Sequence, residues 1–126
     1  MVEALFNQAN YLAAKKTLDT VAMRQQAIAS NIANLETPGY QRLDVPQSFQ
    51  TELQRACGSQ DAQQIASLQP SVTTDPTAVA HGRDGNTVSL EREMSELTQN
   101  TVLNAVESRM VSYTLVRLKT AITGKS

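Results

Sequence analysis

Two long stretches, one at each end of the chain, carry apolar residues at helical spacing. The C-terminal stretch runs from Val88 to Gly124 with no proline and no earlier glycine. Steps of three and four residues from Leu90 to Ile122 meet mostly apolar side chains. Ser89 can cap the first turn, so the pattern predicts a helix over 89–123, about 50 Å long at 1.5 Å per residue. A helix of this length is typical of a coiled coil or an assembly element.

The N-terminal stretch, residues 1–35, predicts a second long helix. Its apolar stripe consists of Tyr11, Ala14, Leu18, Val21, Ile28, Ile32 and Leu35. Gln25 interrupts the stripe with one polar side chain, and such a position can set the register of a coiled coil. The two terminal helices are therefore expected to pair as an antiparallel coiled coil, which makes the fold mainly α.

The outer faces of both helices carry unusually few charges. Only Asp19 and Arg24 are charged between residues 17 and 35, and only Glu107 and Arg109 between residues 98 and 116. A helix that merely covers a small monomer normally presents a strongly charged outer face. We therefore expect neighbouring subunits to cover these faces, although a solvated two-helix hairpin remains an alternative.

The residues expected to pack between subunits come from both helices, and they include two alanines that lie off the main stripe. They are Leu18, Val21, Ala27, Ile28, Ile32, Ala33, Leu35, Leu90, Met94, Leu97, Val106, Met110, Val111, Leu115, Leu118 and Ile122. In a monomer or a simple hairpin, Ala27 and Ala33 are expected to face water.

The segment between the helices divides in two. Residues 36–57 predict a type II turn at Pro38-Gly39, followed by a short helix that Asp44 caps and that ends near Cys57. Residues 58–88 are mostly polar and punctuated by glycine and proline, which predicts an irregular loop. Val72–Thr74 could form a brief strand there, and a loose β-hairpin is one form the loop can take. Residues 1–126 are thus expected to form a single domain.

Composition excludes several classes of function. The net charge is −1 over 126 residues, which gives no electrostatic argument for nucleic acid. The single cysteine, Cys57, rules out an internal disulfide and a thiolate-rich zinc site. No apolar run approaches the length of a membrane span. Glu3 precedes the basic residues of the N-terminus, the wrong order for a cleaved secretory signal, so export would need another route.

Candidate chemistry is sparse. Cys57 and His81 are the only nucleophile and base candidates, and both lie in or beside the irregular segment. Glu91, Glu93 and Glu96 do not share one helical face, so a solvated first turn is a better interpretation than a metal site. The sequence therefore predicts no enzyme, no cofactor, no metal and no small-molecule substrate.

Two strings are more specific than these patterns. Asn31-x-Ala33-Asn34-x-x-Thr37-Pro38-Gly39-Tyr40 resembles the N-terminal signature of the bacterial flagellar axial proteins of rod and hook. Asp84-Gly85-Asn86-x-Val88-x-Leu90-Glu91-x-Glu93-Met94-x-x-Leu97 resembles a segment of their proximal-rod members. The resemblance covers about residues 1–45 and 84–126, and one departure is Leu103, where the family commonly has tyrosine.

The resemblance implies a structural subunit of the proximal rod of the flagellar basal body. Such subunits self-assemble through their terminal helices into a hollow helical shaft that transmits torque and surrounds the export channel. The implied partners are copies of the chain, other rod proteins, and components of the inner-membrane ring and export gate. The implied location is the periplasmic basal body, reached by flagellar type III export without a cleaved signal. A soluble cytoplasmic helical adaptor or secretion chaperone is the alternative.

Overall fold

The computed structural model describes residues 2–124, with side chains of the first helix described from Gln8 onward. Met1, Lys125 and Ser126, the outermost positions of the expected 1–126 domain, lie outside the described residues. The elements in chain order are α1 (Val2–Ala33), β1 (Leu43–Asp44), α2 (Gln47–Ser59), α3 (Ala62–Ser67), β2 (Thr73–Thr74) and α4 (Leu90–Thr123). The expectation of a mainly α fold with two long terminal helices is confirmed.

Helices α1 and α4 pack against each other in opposite directions. The end of α1 meets the start of α4, because the Asn31 amide donates to Glu93 at 3.1 Å. Earlier in α1, the carbonyl oxygen of Val21 accepts from Asn100 at 3.0 Å. Asn100 lies about two turns beyond Glu93 in α4. Ser89 caps α4 as expected, since its hydroxyl accepts from the amide of Arg92.

The stripe predicted on α1 faces α4 and carries a polar contact at its centre. Ala14, Val21 and Ile28 are buried along this stripe. Gln25 accepts a hydrogen bond from the buried Asn100 side chain at 3.1 Å. Sliding one helix along the other would break the hydrogen bonds that the buried Asn100 amide donates to Val21 and Gln25, so the pair favours a single register.

The other side of α1 is covered by α2 and α3. Val45, Phe49 and Leu53 form one buried cluster against Met23, near the middle of α1. A second cluster, Ala56 and Ile65 with Ala9, lies nearer its N-terminus, so α2 runs antiparallel to α1.

This arrangement corrects one expectation about the outer face of α1. Ala27 is only 2% exposed, because α1 is covered on two sides and not only along the α4 stripe. The expectation that Ala27 faces water in a monomer is therefore wrong. Ala33, in contrast, is exposed.

The start and end of α2 also differ from expectation. Pro46 occupies the N-cap position without a side-chain hydrogen bond, and Asp44 lies in β1. Asp44 cannot serve as the cap because its carboxylate is engaged by Arg24 and Arg42. The helix continues past Cys57 to Ser59 and ends where Gln60 adopts a left-handed conformation, with φ of 55°.

The middle segment is more ordered than its composition indicates. The brief strand expected near Thr73 is present, but it pairs with β1 in antiparallel register, Leu43 opposite Thr74, and not with an adjacent strand as a local hairpin. Helix α3 was not predicted within the 58–88 loop. Asp61 caps it by accepting from two backbone amides, and Ile65 anchors it in the core. A six-residue helix with one buried anchor is too short to show periodicity in the sequence.

Candidate functional site

The motif at the end of α1 is a hydrogen-bonded corner, and Asn31 is its centre. Asn31 is fully buried, and its side chain pairs with both backbone groups of Leu43 at 2.9 Å. The same amide donates to Glu93, and the Tyr40 hydroxyl donates to the Asn31 oxygen at 3.3 Å. Asn31 thus joins α1, β1 and α4, which no residue with a single hydrogen-bonding group could do.

The rest of the motif shapes the chain reversal. Asn34 accepts from the Thr37 hydroxyl at 3.1 Å and donates to the carbonyl of Ser30. Gly39 has φ of 73°, the left-handed value that the predicted turn requires. Its amide donates to the carbonyl of Asp84 at 2.7 Å, so the turn lies against the second of the two specific strings, which begins at Asp84.

Asn86 connects that second string to the end of α1. Its amide group lies within hydrogen-bonding distance of three carbonyl oxygens, those of Asn34, Leu35 and Thr37, at 2.8–3.0 Å. These carbonyls belong to the turn that follows α1, where those of Asn34 and Thr37 also accept from the backbone amides of Thr37 and Tyr40. Asn86 therefore ties this turn to the second string. These hydrogen bonds of Asn86 join residues 49–52 positions apart, so the two sequence strings fold into one corner.

A buried ion-pair network lies beside this corner. The Arg42 guanidinium is 1% exposed and contacts the carboxylates of Glu93, Asp44 and Asp75, the last two at 2.9 Å. Arg92 also pairs with Asp75 at 3.0 Å, and Arg24 with Asp44 at 3.4 Å. Three arginines thus balance three carboxylates, which is how buried charges are accommodated in proteins.

The protonation equilibria of the network reflect this pairing. Burial alone would lower the pKa of Arg42, but hydrogen bonds and attraction to Asp44 and Glu93 raise it above its usual value. Burial alone would raise the pKa of Asp75, but hydrogen bonds from Thr77 and the charges of Arg92 and Arg42 lower it. Both groups are held in their charged forms.

Glu93 corrects the interpretation of the α4 start as a solvated turn. Its side chain is fully buried, although Glu91 is exposed as expected. Glu93 lies seven residues before the buried Asn100, so the two share one side of the helix. The seven-residue spacing between Glu93 and Asn100 is the feature of the sequence that could have indicated that Glu93 is buried. Arg42 and Asp75 gave no such signal, because they lie in irregular segments.

The candidate chemical residues do not form a site. Cys57 packs at the edge of the Phe49 cluster, and burial followed by the nearby Glu107 charge raises the pKa of its thiol. Burial also raises the pKa of Glu107. His81 is exposed in the loop after β2. Across residues 2–124, no group of three His, Cys, Asp or Glu side chains is arranged to hold a metal ion.

The residues expected to pack between subunits fall into two groups. Val21, Ala27 and Ile28 are buried inside the chain, so they support the subunit from within. Leu90, Met94, Val106, Met110, Leu115 and Ile122 are exposed large apolar residues of α4. The remaining members are Leu18, Ile32, Leu35, Leu97, Val111 and Leu118, which are half-buried, and Ala33, which is exposed.

Comparisons with known proteins agree with the corner motif. The family model described as "Flagella basal body rod protein" matches residues 12–41, which include the stripe of α1 and the turn. Within residues 2–124, none of the helices combines the length and the apolar character that crossing a membrane requires.

Curated relatives extend the similarity over most of the chain, and each is named flagellar basal body rod protein FlgB. The protein from Escherichia coli K12 is 34% identical over 104 residues, 70% of this chain and 74% of the relative. The Borrelia hermsii protein is 31% identical over 71% of this chain and 78% of the relative. The Cereibacter sphaeroides protein is 32% identical over 81% of this chain and 84% of the relative. The chain therefore belongs to the FlgB family of flagellar basal body rod proteins and is a structural subunit of the basal body rod.

Proposed function

We propose that this chain forms the proximal part of the rod by packing its terminal helices against those of neighbouring subunits. The shaft so formed is hollow, transmits torque and surrounds the export channel. Its partners are further copies of the chain, other rod proteins, and the inner-membrane ring and export-gate components at the base. The subunit reaches the periplasmic space through the flagellar type III apparatus, without a cleaved signal.

The exposed apolar surface of α4 carries this proposal. Five large apolar residues of α4 after Asn100 are 50–83% exposed, namely Val102, Met110, Tyr113, Val116 and Ile122. A monomeric soluble protein rarely leaves such a contiguous apolar surface uncovered. At the other end of the α1–α4 pair, the Asn31 corner and the ion-pair network hold the two helices in one register, so the exposed faces form a defined surface.

A pair of single substitutions tests the proposal. Ala33→Glu places a carboxylate on the exposed face of α1, where it changes the free energy of unfolding of the free chain by no more than about 0.5 kcal/mol. If a neighbouring subunit covers that face, the carboxylate is desolvated without a partner, at a cost of several kcal/mol. Gln63→Glu, on the exposed face of α3, is the matched control.

The measurement is the amount of each variant in purified basal bodies, together with swimming, in a strain that lacks the native gene. We expect Gln63→Glu to match the native chain and Ala33→Glu to be exported but absent from basal bodies. Normal swimming of both variants would favour the soluble adaptor, in which the α1 face meets only water.

A further inference from the structure

Helix α4 has a second apolar face, opposite the one that packs on α1. It is formed by Val102, Val106, Met110, Tyr113 and Val116, which we call the outer stripe. Each is 49–66% exposed. Their spacing of four, four, three and three residues places them on one side of the helix, centred about 150° from Glu93 and Asn100, which contact α1.

Helix α1 has an exposed face of a different kind. Ala22, Gln26, Ala29 and Ala33 are all exposed and follow one another at steps of four, three and four residues. We call them the small-residue row. Arg24 is the only charged residue within this length, and it points to the opposite side, where it pairs with Asp44. The exposed Asp19 lies one turn before the row.

We propose that the outer stripe of one copy packs onto the small-residue row of a second copy, with the two helices antiparallel. The proposal rests on the proposed function, since it identifies which faces meet in the rod. In this register Val102 lies over Ala33, Val106 over Ala29, Met110 over Gln26 and Tyr113 over Ala22. Large side chains against small ones allow two helix axes to approach to about 8–10 Å.

Charge fixes the same register. The Arg117 guanidinium lies over the Tyr113 ring, 5.9 Å from its centroid, so it is held at the end of the outer stripe. Continuing the register by one turn brings Arg117 beside Asp19 of the second copy. Electrostatic complementarity of this kind specifies partner and orientation more than it adds affinity.

The same charges disfavour contact between two outer stripes. Arg109 lies on the edge of the stripe, and the one carboxylate between residues 102 and 117, Glu107, is on the inner side near Cys57. Two stripes packed face to face would therefore bring Arg109 and Arg117 of both copies together without a carboxylate. Like charges at an interface cost free energy, so the small-residue row is the better partner.

The antiparallel contact also preserves direction. Within one chain α1 and α4 already run in opposite directions, so an antiparallel contact between α4 and a second α1 leaves both copies pointing the same way. A screw axis relates copies that point the same way along it, as a rod requires. Because the two surfaces differ, the contact is head-to-tail and need not close after two copies.

Cysteine pairs test the contact directly. In a Cys57→Ser background, which removes the only native cysteine, one copy carries Ala22→Cys and the other Tyr113→Cys. Both are co-expressed, and purified basal bodies are oxidised. We expect a disulfide-linked dimer from this pair, because the two Cα atoms would lie within the roughly 4.4–6.8 Å that a disulfide spans.

The control pair replaces Tyr113→Cys by Ser112→Cys, which is also exposed but turned about 100° away, and should give no dimer. Equal cross-linking of both pairs, or cross-linking by Tyr113→Cys alone, would overturn the register. If the cysteine variants are present in basal bodies and do not cross-link, this inference fails while the proposed function stands. Absence of the native chain from basal bodies would overturn both.

Charge reversal provides a test that needs no cysteine. Arg117→Glu alone and Asp19→Arg alone should each lower incorporation into basal bodies by about tenfold, because each places like charges together. The two changes combined in one chain restore opposite charges at every contact and should return incorporation to within about twofold of native. Lys119→Glu, exposed but off the stripe, should have little effect. No recovery in the double variant would overturn the Arg117–Asp19 pairing.

Discussion

Removing the Glu93 carboxylate should destabilise the chain more than any surface change nearby. Glu93 is fully buried, and Arg42, its partner, is 1% exposed. In Glu93→Ala the guanidinium loses one of three carboxylates, and Asn31 loses an acceptor. Breaking a buried ion pair by removing one member costs about 3–5 kcal/mol. Asp44 and Asp75 still neutralise Arg42, so we expect the lower end, about 3 kcal/mol.

Urea unfolding followed by helical circular dichroism measures this loss. For a small protein the slope is about 1–3 kcal/mol per molar urea, so the unfolding midpoint should fall by roughly 1–3 M. Glu91→Ala, two residues away and exposed, is the control and should change the free energy of unfolding by no more than about 0.5 kcal/mol. Equal midpoints for the two variants would refute the view that the network holds α4 to the corner.

Four further predictions concern the corner and the core. Gly39→Val should lower the free energy of unfolding by at least about 1–2 kcal/mol and impair assembly, because φ is 73° at Gly39. Gly58→Ala, within α2, is the control and should be neutral or stabilising in the same urea titration. Asn86→Ala should cost about 1–3 kcal/mol by removing the shared donor to the carbonyls of the turn after α1, and hydrogen exchange should show faster opening of that turn. Because the pKa of Asp75 is lowered in the folded chain, its ionised carboxylate stabilises the fold above the unfolded pKa, and this stabilisation is lost as pH falls through the folded pKa. In Asp75→Asn the urea unfolding midpoint should therefore fall less steeply as the pH is lowered. Ala27→Glu should unfold the free chain, whereas Ala33→Glu should leave its circular dichroism unchanged.

The sequence predicts the long elements well because their periodicity repeats over many turns. The cap at Ser89, the stripe of α1 and the left-handed Gly39 each follow from local chemistry that tertiary contacts do not override. The polar contact at Gln25 was foreseeable as a register position, although its partner Asn100 was not.

The corner could not be derived from periodicity, because its contacts join residues far apart in the chain. Arg42 and Asp75 are 33 residues apart, and nothing local to either indicates a buried ion pair. For Asp44 the local pattern was misleading. It precedes α2 at a position where a helix cap is expected, but its carboxylate accepts a hydrogen bond from Arg42 instead. Ala27 was misplaced because a single stripe cannot show that α1 is covered on two sides.

Locating the chain in basal bodies by electron cryomicroscopy tests the central claim most directly. The account predicts several copies around the export channel at the end of the rod nearest the inner membrane. All copies should point the same way, with α1 and α4 of each copy in contact with neighbouring copies. Density that shows two copies of the chain as a closed dimer would contradict the account. Basal bodies whose rod contains no copy of the chain would also contradict it.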